Sequence, residues 1–170
     1  KLTLVQELND VEKLYFPSDQ KIAYITQTTL SVFDTQEIVD ALEKKFPKIL
    51  APKKSDICYA TSNRQSSVQE IAKIVDAFFV IGAFNSSNSI RLVETAKRFG
   101  CDYSELIENI DDFDYQKLNQ YESIGLTASA SAPEKQLNLF IDRVKENYKP
   151  EVVDYKEDEN IVFKVPNFLN

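Results

Sequence analysis

Ala77-Phe78-Phe79-Val80-Ile81-Gly82-Ala83-Phe84-Asn85-Ser86-Ser87-Asn88-Ser89 is the stretch on which the fold turns. Five consecutive apolar residues with no polar alternation describe a strand covered on both faces, which implies a parallel sheet with helices on either side. Gly82 ends the strand. Asn85 to Ser89 is then a run of amide and hydroxyl side chains, the groups that open helices by accepting the first free N–H groups. Leu92, Val93, Ala96 and Phe99 follow at helical spacing, and Gly100 supplies a C-terminal stop.

The same strand, polar loop and helix unit recurs on both sides. Upstream, Val68, Ile71, Ala72 and Val75 predict a helix; Thr61-Ser62-Asn63-Arg64-Gln65 reads as the loop before it, and Asp56-Ile57-Cys58-Tyr59-Ala60 as the transition out of a strand. Lys21 to Ile25 and Lys48 to Ala51 are further strand candidates. Between them a helix is expected from Asp34, with Glu37 completing a capping box, Ile38, Ala41, Leu42 and Phe46 on one face, and Pro47 as the stop.

Downstream, Cys101 to Ile107 reads as extended, Tyr115 to Asn119 as a short helix and Ser123 to Leu126 as a strand. Pro133 then opens a helix with an inward stripe of Leu137, Phe140, Ile141, Val144 and Tyr148. Glu151 to Asn160 is an acidic linker and Ile161 to Val165 a terminal strand. The fold class expected is α/β, built from parallel-sheet strand-loop-helix units. The polar break at Pro52 to Ser55 divides it into an α/β domain over 1–55, a second over 56–150, and a linker with terminal strand over 151–170.

Composition excludes several chemistries. Three glycines among 170 residues, Gly82, Gly100 and Gly125, cannot build a G-x-G-x-x-G or Walker A loop. Histidine is absent, which removes Ser-His-Asp triads and imidazole bases carried by this chain. Cys58 and Cys101 alone cannot enclose zinc and give no disulfide framework. A net charge of −7 argues against nucleic acid as a partner. No apolar run is long enough to span a bilayer, and the chain carries no signal-peptide pattern and no methionine, so it is expected to start partway along a longer protein.

Four segments share one chemistry: Thr26 to Ser31, Thr61 to Gln65, Asn85 to Ser89 and Thr127 to Ser131. Each is rich in hydroxyls or amides and is expected between a strand and a helix, at the sheet edge where parallel folds bind ligands. Helix starts there offer free N–H groups and a positive dipole end, suited to a phosphate or diphosphate ester. Each segment taken alone is more often just a helix cap. Cys58 reads either as a small buried hydrophobe or as a thiolate ligand. Arg64 is the one cation in these segments, to be placed on an anion or in a salt bridge with a carboxylate.

Ala23-Tyr24-Ile25-Thr26-Gln27-Thr28-Thr29-Leu30-Ser31, Asp56-Ile57-Cys58-Tyr59-Ala60-Thr61-Ser62-Asn63-Arg64-Gln65, Asn85-Ser86-Ser87-Asn88-Ser89 and Thr127-Ala128-Ser129-Ala130-Ser131-Ala132-Pro133 occur in this order. Together with Glu159 to Pro166 they closely resemble the LytB family of 4-hydroxy-3-methylbut-2-enyl diphosphate reductases. The resemblance implies part of a three-domain α/β arrangement around a [4Fe-4S] cluster. It implies reductive dehydroxylation in the non-mevalonate isoprenoid pathway, giving isopentenyl and dimethylallyl diphosphate, with ferredoxin or flavodoxin as electron donor. Cys58 matches one cluster cysteine, the other two being expected off this chain. Thr28, Ser86, Ser87, Asn88 and Ser131 match substrate-binding positions, Thr28 also as a catalytic residue.

The resemblance places the protein in the bacterial cytoplasm or a plastid-type organelle. It makes an N-terminal segment with two cysteines, diphosphate-binding histidines and a proton-relay glutamate the necessary partner. Cys101 matches no cluster position. Ser129 stands where the family pattern has glycine; if that position requires positive φ or close backbone approach, serine reshapes the loop holding Ser131. The alternative function is a non-catalytic LytB-derived binding or assembly subunit.

Overall fold

The computed structural model describes residues 2–53 and 55–155. Ala77–Ile81 forms β1, every residue of it buried, as its unbroken apolar character requires. β2 (Tyr103–Ile107) and β3 (Ile124–Ala128) lie on either side of it, all parallel, in the order β2-β1-β3. The register pairs Ile81 with Ile107 on one side and with Ala128 on the other, so the three strands end level.

Among the described residues, five α-helices surround or precede the sheet: α1 (Leu8–Lys13), α2 (Val32–Lys45), α3 (Tyr59–Ile71), α4 (Ser87–Arg98) and α5 (Glu134–Tyr148); a 3-10 turn covers Tyr115–Gln120. The strands bury opposite faces into two apolar clusters. Phe78 and Val80 pack with Val68 and Ala72 from the α3 side and Leu92 and Ala96 of α4. Ala77, Phe79 and Ile81 pack with Ile107, Leu118 and, from α5, Phe140 and Val144. Helices therefore cover both faces of the central strand, the doubly covered arrangement that its sequence implies.

Several boundaries differ from the sequence reading. Lys21 to Ile25 and Lys48 to Ala51 do not form strands; they meet in one parallel bridge between Ala23 and Leu50. No further strand lies alongside them among the described residues, and Ile25 and Leu50 remain exposed. α2 starts two residues before Asp34, because Ser31 Oγ accepts the Asp34 N–H at 3.2 Å and serves as the cap. Thr61 to Gln65 is helical rather than a loop: α3 begins immediately after Cys58 and buries Thr61 and Gln65. Asp56 to Tyr59 carries no strand. The proposed strand at Ile161 to Val165 and the second half of the acidic linker lie outside the described residues. Elsewhere the fit is close, including the helix from Pro133 and the stop at Gly100, whose φ of +109° only glycine adopts freely.

Candidate functional site

The topology gathers three helix starts at one edge. α4 follows β1 and α5 follows β3, so both begin at the carboxyl ends of those strands. α3 runs into β1 through a short turn and packs against α4, so it too begins at that edge. Cys58, Ser86 and Pro133 are the three N-caps.

Cys58 is exposed, which sets aside the buried-hydrophobe reading of its thiol; Cys101 is the buried one. The Cys58 N–H donates to Thr28 O at 3.0 Å, and Thr26 N–H to Asp56 Oδ2 at 2.9 Å. These bonds lay the Thr26 to Ser31 segment against the start of α3, and Thr28 is exposed beside Cys58. Gln65 clamps the same segment from within α3: its Oε1 accepts from Val32 N and its Nε2 donates to Leu30 O, each at 3.0 Å.

At α4, Ser86 Oγ receives the Ser89 N–H at 3.4 Å, a cap bond, and Ser87 is exposed in the first turn. Asn88 is 5% exposed, yet neither its Nδ2 nor its Oδ1 has a hydrogen-bond partner. A buried amide left unpaired is strongly disfavoured in a finished structure. Its donors are free for a ligand at a helix start, where negative charge is favoured.

Ser131 lines a cavity of about 160 Å³ at the ends of β1 and β3, with Gly82, Ala83, Glu108, Ser129 and Gln136. Glu108 is the charged wall, its Oε1 accepting the Phe84 N–H at 3.0 Å. A phosphate is therefore favoured against the helix starts and disfavoured beside this carboxylate.

Among the described residues Arg64 is held by carbonyls rather than by a carboxylate. Its Nε donates to Ala128 O at 3.1 Å and its guanidinium to Ala60 O at 3.0 Å, which ties the first turn of α3 to the end of β3. Ser129 itself has no positive φ. Lys149 is the one non-glycine residue with positive φ among the described residues, so position 129 asks for no left-handed backbone. Thr28 is thus brought to Cys58, and Ser86, Ser87, Asn88 and Ser131 share their sheet edge. Glu108 and Gln136 went unnoticed in the sequence, and Gln65 was read only as one amide of a polar loop; a lone polar residue beside a strand end or within a helix carries no periodic signal.

The described residues hold no group of three or more His, Cys, Asp or Glu that would enclose a metal ion. Cys58 fits as a single exposed ligand, with further ligands from outside these residues. Among the described residues, no helix is long and apolar enough to cross a membrane.

These features define an open parallel α/β protein whose ligand edge is built from helix starts bearing hydroxyl, amide and thiol groups. The LytB protein family matches residues 1–145, and the chain belongs to it. It is 47% identical over 171 residues to the 4-hydroxy-3-methylbut-2-enyl diphosphate reductase of Roseobacter denitrificans, a match covering 99% of this chain and 54% of that protein. The reductase of Proteus mirabilis is 46% identical over 167 residues, covering 98% of this chain and 52% of that protein. The structure of the E-1-hydroxy-2-methyl-but-2-enyl-4-diphosphate reductase from Plasmodium falciparum superposes with a TM-score of 0.85 at 37% identity, over 97% of this chain and 53% of that one. The chain spans about half the length of the curated relatives it matches.

Proposed function

We propose that this chain is the C-terminal part of a 4-hydroxy-3-methylbut-2-enyl diphosphate reductase. On this reading it reduces the substrate's allylic hydroxyl away to give isopentenyl and dimethylallyl diphosphate, jointly with a segment carrying the other cluster ligands. One observation carries the reading: an exposed thiol and several hydroxyl and amide groups share one sheet edge, with Asn88 buried and unpartnered among them.

Cys58 would supply one thiolate ligand to a [4Fe-4S] cluster, which when bound would supply electrons and Lewis acidity. Thr28, fixed beside Cys58 by its own carbonyl, faces the reacting end of the substrate. Ser86, Ser87, Asn88 and Ser131 hold the diphosphate with neutral donors at helix starts. Binding energy gathered there, away from the reacting carbon, fixes the orientation of the allylic hydroxyl. Ferredoxin or flavodoxin delivers the electrons. Residues 1–55 form part of the second α/β domain of the family arrangement, and 56–150 an α/β domain carrying the cluster cysteine and the diphosphate groups.

Anaerobic mixing with the N-terminal half of a LytB relative tests this. The expected result is an oxygen-sensitive iron–sulfur absorbance and reduction of the substrate, both lost in Cys58→Ser. Absence of bound iron with the complement present overturns the enzyme reading and leaves a LytB-derived assembly subunit, which would bind a partner without responding to diphosphates.

A further inference from the structure

Ser89 and Ser129 bury their hydroxyls beside one glycine. Their exposures are 0% and 1%. Ser89 Oγ lies 2.2 Å and Ser129 Oγ 2.9 Å from the point that a Cβ on Gly82 would occupy, so both crowd the bare Cα of that residue. Neither Oγ has a hydrogen-bond partner, and Asn88, next to Ser89, is unpartnered at both amide atoms. Buried hydroxyls are seldom left unpaired, and two side by side call for a shared use. The backbone fixes the frame: Ser129 N–H donates to Ile81 O at 2.8 Å, and Ala132 N–H to Ser129 O at 2.9 Å. Ser129 therefore opens the turn that carries Ser131, while Ser89 lies in the helix start that carries Asn88.

We propose that Ser129 is a positioning residue: on ligand binding its hydroxyl and that of Ser89 enter one shared hydrogen bond beside Gly82, tying the turn of Ser131 to the helix start of Asn88. The inference rests on the diphosphate reading above and adds a selectivity to it. A diphosphate reaches both elements, whereas orthophosphate sits on one. A tie that sets their separation therefore favours the two-phosphate anion.

The test is calorimetric titration of the full 170-residue chain with inorganic pyrophosphate and, separately, with orthophosphate. The variants are Ser129→Ala, Ser89→Ala and the double change, with folding of each checked by circular dichroism; Ser89→Ala carries the test if Ser129→Ala does not fold. The expected result is a loss of about 5- to 10-fold in pyrophosphate affinity in either single variant, the weight of one neutral hydrogen bond. The double variant should lose no more, and orthophosphate affinity should not change. Equal weakening of both anions, additive losses, or unchanged pyrophosphate affinity in the variants of a chain that binds it would overturn the proposal while leaving the diphosphate reading intact. A wild-type chain that does not bind pyrophosphate even with the N-terminal half of a LytB relative present overturns both.

Discussion

Gly125 sits in the middle of β3, where a strand gains nothing from glycine's freedom, and its reason is the neighbour. An added Cβ would stand 2.5 Å from Phe78 Cδ2 and 2.6 Å from Cε2. Phe78 is fully buried against α3 and α4, so its ring has nowhere to turn. Gly125→Ala is therefore expected to destabilise the protein by about 1–3 kcal/mol through overpacking, read as a lowered midpoint in denaturant unfolding. Arg64 makes a different case. Its guanidinium serves two carbonyls on two elements with a planar fork that lysine lacks. Both Arg64→Lys and Arg64→Ala should loosen the join between α3 and β3, with Arg64→Ala costing roughly 1–3 kcal/mol as charged hydrogen bonds are lost. If Arg64→Lys unfolds at the wild-type midpoint, the fork geometry has no importance.

At the scale of elements, β1 is held to β3 at its start by Asp76. Its Oδ2 accepts the N–H groups of Ser123 and Glu122 at 2.8 and 3.0 Å and the Ser123 hydroxyl at 3.0 Å. These bonds, the Ser123 backbone first, hold its carboxyl below its ordinary pKa. A carboxyl whose folded pKa lies below its unfolded one stabilises the fold above about pH 4 and stops doing so as pH falls through the folded value. Asp76→Asn should thus lower the neutral-pH midpoint and flatten the acid limb of the stability profile; parallel acid limbs for the two proteins would refute this. Tyr103 shows the opposite sign. Its hydroxyl donates to Glu105, and this bond first, then desolvation, raises it to about 12. Its stabilisation is intact below the ordinary tyrosine value and is lost as pH rises through the folded one. Spectrophotometric titration should show one of the eight tyrosines ionising last, and Glu105→Gln should bring it earlier.

The same scale explains what the sequence could and could not reveal. β1, α4 and α5 were legible because each carries its own signals: an unbroken apolar run, a cap, a glycine or proline stop. Lys21 to Ile25 has the composition of a strand, but a strand exists only by pairing, and within the described residues it finds one bridge. The start of α3 was misplaced because Thr61, Ser62 and Asn63 are poor helix formers, overridden by the burial of Thr61 and Gln65. The exposure of Cys58 was not legible either, since nothing local separates a buried thiol from one at a helix start.

Across the whole molecule, the stabilising contacts are unevenly shared. Both apolar clusters draw their buried members from residues 68–144. Residues 2–50 contribute only Val11 and Leu42 to the buried apolar set, while Leu2, Leu4, Leu8, Tyr15, Ile25 and Leu50 are exposed. What joins the two parts is largely polar: Cys58 to Thr28, Thr26 to Asp56, the Gln65 clamp and the ion pair of Arg98 with Asp34, backed by Phe33 against Phe99. Such a join opens at lower free energy than a doubly covered strand. Native-state hydrogen exchange should therefore find α2 amides exchanging through a partial opening, well before those of β1, which wait for global unfolding. Because Thr28 rides on the weaker part and Cys58 begins the stronger, that opening would separate them. Binding of the complementary half of the family's length should then raise α2 protection far more than that of β1. Equal protection of α2 and β1 in the chain alone would mean one cooperative unit, and the boundary proposed near Ser55 would be wrong.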